Sequence, residues 1–242
     1  MPVPEVQTPP TLERESAARQ KGPRWAWAVR LGLVILGLGA WFYTQSLIGA
    51  RPLPVISADI PPIGDGFMAA LAPLHDYLFT HATAANALLV VSSFFIDVLA
   101  LFILIRAIIG PTLRPFLGLL LLFALRQLCQ ATTALPAPPG IIWHNPGIPS
   151  LLVTYGVAND FFFSGHTALA VYGVVELTRF RKWLWPFAVA IALFEAATVL
   201  TLRAHWTMDV FTGAVTALWI AMIAAQLAPR VDRAIARLTT RS

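Results

Sequence analysis

The chain has 242 residues, 57% of them hydrophobic and only 12% charged, with a formal net charge of +5. A soluble domain carries about 25% charged residues, so this composition excludes an ordinary water-soluble fold and points to an all-α integral membrane protein. The basic residues sit between apolar runs, where membrane topology accounts for them and nucleic acid is not needed as a partner. The single cysteine, Cys129, excludes an intrachain disulfide and a cysteine zinc cluster.

In chain order, residues 1–24 are rich in Pro and charge and read as a disordered cytosolic tail. Residues 25–228 form the membrane domain, and 229–242 a basic cytosolic tail. The first span is expected over 27–47; the alternative, a cleaved signal peptide cut near Ile48-Gly49-Ala50, fits less well behind so long a tail. Residues 49–83 form a long connection, in which Phe67, Leu71, Leu74 and Leu78 fall at helical spacing and suggest a short helix in the interface. His75 and His81, in this connection, read as solvated. Spans two and three are expected over 84–109 and 113–134, carrying Asp97 and Arg126. Asp97 needs a partner inside the bundle. The connection 135–160 has no Lys or Arg and packs on the membrane surface. Spans four, five and six are expected over 161–178, 183–203 and 206–228, and the arginines and apolar residues after 228 alternate as in a membrane-surface helix.

In this six-span bundle, the basic clusters at 14–30, 106–114, 179–182 and 230–241 all fall on one side. Only Arg51 and Arg203 fall on the other. The positive-inside rule then places both termini in the cytosol.

The polar residues converge at the opposite side. Asp160, Ser164, Gly165 and His166 open span four; His205 and Asp209 open span six; Arg203 closes span five. Arg126 lies about 12 Å below the outer end of span three, at about 1.5 Å per residue, and Glu195 lies at similar depth in span five. Ionisable residues in apolar runs cost roughly 2.5–3.5 kcal/mol each and read as functional by default. The four-residue spacing of His205 and Asp209 puts them on one helix face. Asp209 can then hold one imidazole nitrogen while the other attacks phosphorus. His166 can protonate the departing alkoxide and later deprotonate an acceptor hydroxyl. Arg126, and secondarily Arg203, can face the phosphate oxygens, joined by the N–H groups near Ser164 and Gly165. Asp160 and Glu195 would support the site. Ser164 reads equally as a helix cap, Arg203 as an arginine reaching for the interface, and Glu195 and Asp97 as structural partners; Glu176 reads as solvated near the cytosolic end. No metal or cofactor is called for.

Together these stretches resemble a known family. Asp160 followed by Ser164-Gly165-His166-Thr167, and His205-Trp206-Thr207-Met208-Asp209-Val210, are similar to two motifs of sphingomyelin synthases, in the lipid branch of the type 2 phosphatidic acid phosphatase superfamily. Phe123, Arg126 and Cys129, followed by Thr132-Thr133-Ala134-Leu135-Pro136, resemble a further motif, and the likeness spans roughly 84–228. The resemblance implies six spans, an outward-facing site, a triad of His166, His205 and Asp209, no metal, and transfer of phosphocholine or phosphoethanolamine from a phospholipid to ceramide or diacylglycerol. Its partners would be membrane lipids; a homo-oligomer is left open. The site would lie on the non-cytosolic face, in the inner membrane if the protein is bacterial. Cys129, Trp206 and Asn159 depart from the family's usual Thr, Tyr and Gly, and Trp206 could alter the lipid pocket. The hydrolytic phosphatases fit less well: Phe163 stands where they have Pro, and Val199 where they have Arg. Hydrolysis with water as acceptor is the rival within enzymes. A transporter coupled through Asp97 and Glu195 is the rival outside them.

Overall fold

The computed structural model describes residues 25–50, 64–133, 135–155 and 161–240. All regular structure among them is helical. In chain order the helices are α1 (Ala26–Gly49), α2 (Gly66–Ala70), α3 (Ala72–Thr80), α4 (Ala82–Ile109), α5 (Arg114–Thr132), α6 (Gly165–Phe180), α7 (Trp185–Thr201) and α8 (Thr207–Thr240). Prolines at the first turns of α3, α5 and α7 start those helices where a missing N–H costs nothing.

The long helices alternate in direction, as contacts at the two ends show. At one end, Arg30 of α1 donates to the Gly110 carbonyl of the α4–α5 turn. Asp232, late in α8, accepts from the Leu113 amide at 2.9 Å, and Arg114 of α5 pairs with Glu176 of α6 at 2.6 Å. Glu176 is therefore not solvated as its sequence position suggests; Arg114 grips it with two hydrogen bonds. Trp25, Trp27, Trp183 and Trp185 are exposed at this basic end, where an aromatic belt meets lipid head groups. The other end holds the starts of α6 and α8 and the end of α7, with the described residues of 135–155.

Five stretches among the described residues are long and apolar enough to cross a membrane: α1, α4, α5, α7 with the turn before it, and α8. The other long helix, α6, has 16 residues, about 24 Å against roughly 30 Å of hydrocarbon. It begins at Gly165 and not at 161, because Ser164 caps it and Phe162 takes a positive φ of 105°. It is also the most enclosed, packed against α7, α8 and α4. Tyr172, Leu169 and Ala168 of α6 meet Ile103, Phe116, Leu122 and Ala217 in the main core. Large apolar side chains such as Ile35, Phe94, Phe187, Leu193 and Trp219 point outward, as lipid-facing surfaces require.

The connections are more ordered than their composition suggests. Residues 135–155 form no helix, yet Ile142, Leu152 and Val153 are buried. Asp97 finds its partner here: its carboxylate accepts from the Ser150 hydroxyl at 2.9 Å and from the amides of Leu151 and Leu152 at 2.8 and 3.1 Å. The described part of the connection before α4, from residue 64, forms the two short helices α2 and α3, with Phe67 and Leu74 exposed and Met68 and Leu78 buried. His75 is buried rather than solvated, and its Nδ1 donates to the Thr201 carbonyl at 2.9 Å. His81 is exposed and bonds the carbonyl of Tyr77. The chain after 228 is a continuation of α8 through Pro229.

Candidate active site

Two short turns make the site. The α7–α8 turn closes α7 with the Ala204 amide on the Val199 carbonyl and the Arg203 amide on the Leu200 carbonyl, at 2.8 and 3.1 Å. That pairing needs a left-handed residue next to the helix end, usually glycine. Here Arg203 takes it, at φ 53°. The turn delivers His205 two residues before α8 begins. His205 and Asp209 are thus not on one helix face, as a four-residue spacing suggests. Asp209 lies in the first turn and reaches back: its Oδ2 is 3.2 Å from His205 Nδ1 and accepts from the Trp206 amide at 3.1 Å. A carboxylate only accepts, so Nδ1 carries the proton and Nε2 keeps its lone pair.

The α6 start is built differently. The Ser164 hydroxyl accepts from the Thr167 amide at 3.3 Å and donates to the Thr167 hydroxyl at 3.0 Å. It is spent on capping. The two turns are tied directly, since the Ser164 amide donates to the Asp209 carbonyl at 3.1 Å. A Cβ on Gly213 of α8 would lie 2.7 Å from the Ser164 carbonyl oxygen, so glycine is what lets α6 and α8 approach this closely.

Between them lies an open cavity, with His166, His205, Arg126 and Gly165 on its wall. Both histidines line the same space. Nε2 of His166 is buried and has no hydrogen-bond partner among the described residues; its ring stands edge-on to Trp143, 4.9 Å between centroids. Arg126 is 5% exposed. Its Nε donates to the Phe163 carbonyl at 3.1 Å, and one terminal nitrogen donates to Gln45 and Gln130 at 3.2 and 3.3 Å. Gly165 leaves room for it, as a Cβ there would sit 3.1 Å from Nε. Trp41, Phe123, Trp143 and Phe161 supply aromatic walls. A second, apolar groove shares Trp41, Phe123 and Leu152 with this cavity and runs between α1 and α5 along Leu38, Phe116 and Leu120.

The family model AtPDCT1/2 matches residues 64–226, a stretch that holds both turns, Arg126 and most of the cavity wall. The chain belongs to the AtPDCT1/2 family. That family comprises phosphatidylcholine:diacylglycerol cholinephosphotransferases, so this member is a lipid head-group transferase in kind. The match names that family and not the sphingomyelin synthase branch. No curated protein matches the chain.

Some residues singled out from the sequence stand apart from the cavity in this family member. Arg203 donates to the Pro139 carbonyl at 2.9 Å. Glu195 is fully buried and accepts from Ser92 at 2.6 Å. Trp206 donates its indole N–H to the Pro136 carbonyl at 3.0 Å, so it braces a loop and is not on the pocket wall. Asp160 lies outside the described residues. Conversely, Gln45, the Trp143 wall and Asp65 were not singled out from the sequence. Asp65 accepts from the Thr207 amide at 2.7 Å and the Thr207 hydroxyl at 2.6 Å. Burial pushes its carboxyl up, but the bonds from Thr207, Met68 and Phe67 outweigh that and hold it below the ordinary 3.8. An aspartate directly before a helix is a common N-cap, and Asp65 caps α2 in this way.

Proposed function

We propose that this protein transfers phosphocholine from phosphatidylcholine to diacylglycerol by double displacement through His205. His205 Nε2 attacks phosphorus, the bond from phosphorus to the glycerol oxygen breaks, and His166 gives that oxygen its proton. Diacylglycerol leaves and phosphocholine stays on His205. A second diacylglycerol then gives its hydroxyl proton to His166, attacks phosphorus and releases His205. Asp209 holds Nδ1 and stabilises the imidazolium form, and Arg126 faces the charge on the phosphate oxygens.

The observation that carries this reading is that His166, His205 and Arg126 line one cavity, with Asp209 holding His205. The aromatic walls favour choline over ethanolamine. A trimethylammonium group binds aromatic faces without a hydrogen-bond acceptor, whereas a primary ammonium has three N–H groups to satisfy. The apolar groove beside the cavity suits an acyl chain of a lipid whose phosphate lies at Arg126. Six crossings, with α6 shielded by its neighbours, put the histidines on the non-cytosolic face if the basic end is cytosolic.

The test supplies purified protein with phosphatidylcholine labelled in the head group, with diacylglycerol, with ceramide, or with neither. Labelled phosphatidylcholine carrying the new acyl chains is expected only when diacylglycerol is added, and label should be trapped on the protein when the acceptor is withheld. His205→Ala should lose both signals. Free phosphocholine released equally with and without acceptor would mean hydrolysis and end the transferase reading.

A further inference from the structure

The first turn of α8 has a gap in its own chemistry. A helix leaves its first amides unpaired, and an N-cap side chain with an oxygen normally accepts from one of them. The residue before α8 is Trp206, which has no acceptor. Asp209 reaches back only as far as the Trp206 amide, and the same oxygen meets His205. The Thr207 amide is left for something else. Asp65 supplies it from 142 positions away: Oδ2 takes the amide, and Oδ1 takes the Thr207 hydroxyl together with the Met68 amide of α2. One carboxylate therefore caps both α2 and α8, and it does so two residues from His205.

We infer that Asp65 is a positioning residue for His205, acting through the first turn of α8. Its hydrogen bonds go to Thr207 and Met68, and it is not among the residues lining the cavity. Its two bonds clamp Thr207, and Thr207 separates the two partners of the His205–Asp209 contact. If that turn frays, His205 Nε2 loses its fixed line to phosphorus, and an error of about 1 Å in such a line can cost roughly 100-fold in rate. Lipid binding depends on Arg126 and the walls and would be spared. The rate effect rests on the transferase reading above; the clamp itself does not.

The experiment compares wild type with Asp65→Ala and Asp65→Asn in detergent micelles. Hydrogen exchange over 206–210 reads the clamp, and steady-state transfer reads its consequence. In D65A the exchange of these amides should quicken, and kcat should fall about 10- to 100-fold with KM within about twofold. D65N keeps one carbonyl oxygen for Thr207 and should recover a large part of kcat. If D65A does not fold, the same comparison is made with D65N, for which a smaller fall in kcat at unchanged KM is expected. Unchanged exchange in the variants would overturn the clamp whether or not the substrate has been identified. Quickened exchange with wild-type kcat would overturn the positioning role. A wild type that moves no head group defeats the transferase reading alone, and exchange still decides the clamp.

Discussion

Arg126 is the deepest cation on the cavity wall, and its partners are what make it informative. A guanidinium at 5% exposure is held here by a backbone carbonyl and two glutamine oxygens. These partners fix the orientation of its planar fork. Lysine at this position keeps the charge but loses the planar fork that reaches Phe163 and the glutamines together. Arg126→Lys should therefore stay folded while kcat drops on the order of 100-fold, the usual scale for losing one charge-stabilising donor. Head-group transfer by a monodisperse preparation measures it; an unchanged kcat would return Arg126 to a structural role. At this scale His166, His205, Asp209 and Arg126 stood out in the sequence, because ionisable residues in apolar runs have few bland explanations. Gln45, Asp65 and Trp143 did not. Their roles come from partners that lie far away in sequence or on another segment, and a glutamine, a loop aspartate and a tryptophan are common in such places.

The elements meet through glycines. Gly118 on α5 faces Tyr172 so closely that a Cβ would lie 2.0 Å from its hydroxyl, and that hydroxyl is held by the Pro115 carbonyl at 3.1 Å. Gly213 does the same for α8 against the start of α6. There the obstacle is backbone, which cannot swing aside as a side chain can. Gly213→Ala should push α6 from α8 at the level of the two histidines and lower kcat by about tenfold or more. The cost in stability should be about 1–3 kcal/mol, as for other overpacked contacts. Transfer assays paired with thermal unfolding in detergent check both; a variant with normal turnover would mean that the histidine spacing tolerates the shift. Most helix positions were legible from hydropathy and length. Their ends were less so: α8 runs past Pro229, and α6 starts late because Ser164 caps it. The four-residue spacing of His205 and Asp209 suggested a shared helix face, but the contact comes from a turn and a first-turn carboxylate reaching back.

For the molecule as a whole, charge divides one end from the other. Arg30, Arg106, Arg114, Arg179 and Arg181 gather at the end away from the histidines, with exposed tryptophans beside them. If that end is cytosolic, sealed right-side-out vesicles should convert a short-chain fluorescent phosphatidylcholine added outside, and inside-out vesicles should not. The reverse pattern would turn the site to the cytosol.

Sequence alone determined that the chain is a helical membrane protein with its basic clusters at one end, because hydropathy, span length and charge bias are local properties summed along the chain. It also carried the paired histidine motifs, whose residues stay close in sequence. Tertiary structure alone decided the contacts around them: Asp65 on Thr207, Asp97 on the 150–152 loop, the Gln45 grip on Arg126, and the glycine contact between α6 and α8. These are hydrogen bonds and close approaches between segments remote in sequence or packed across helices, and no pattern of spacing or composition encodes which remote group will arrive.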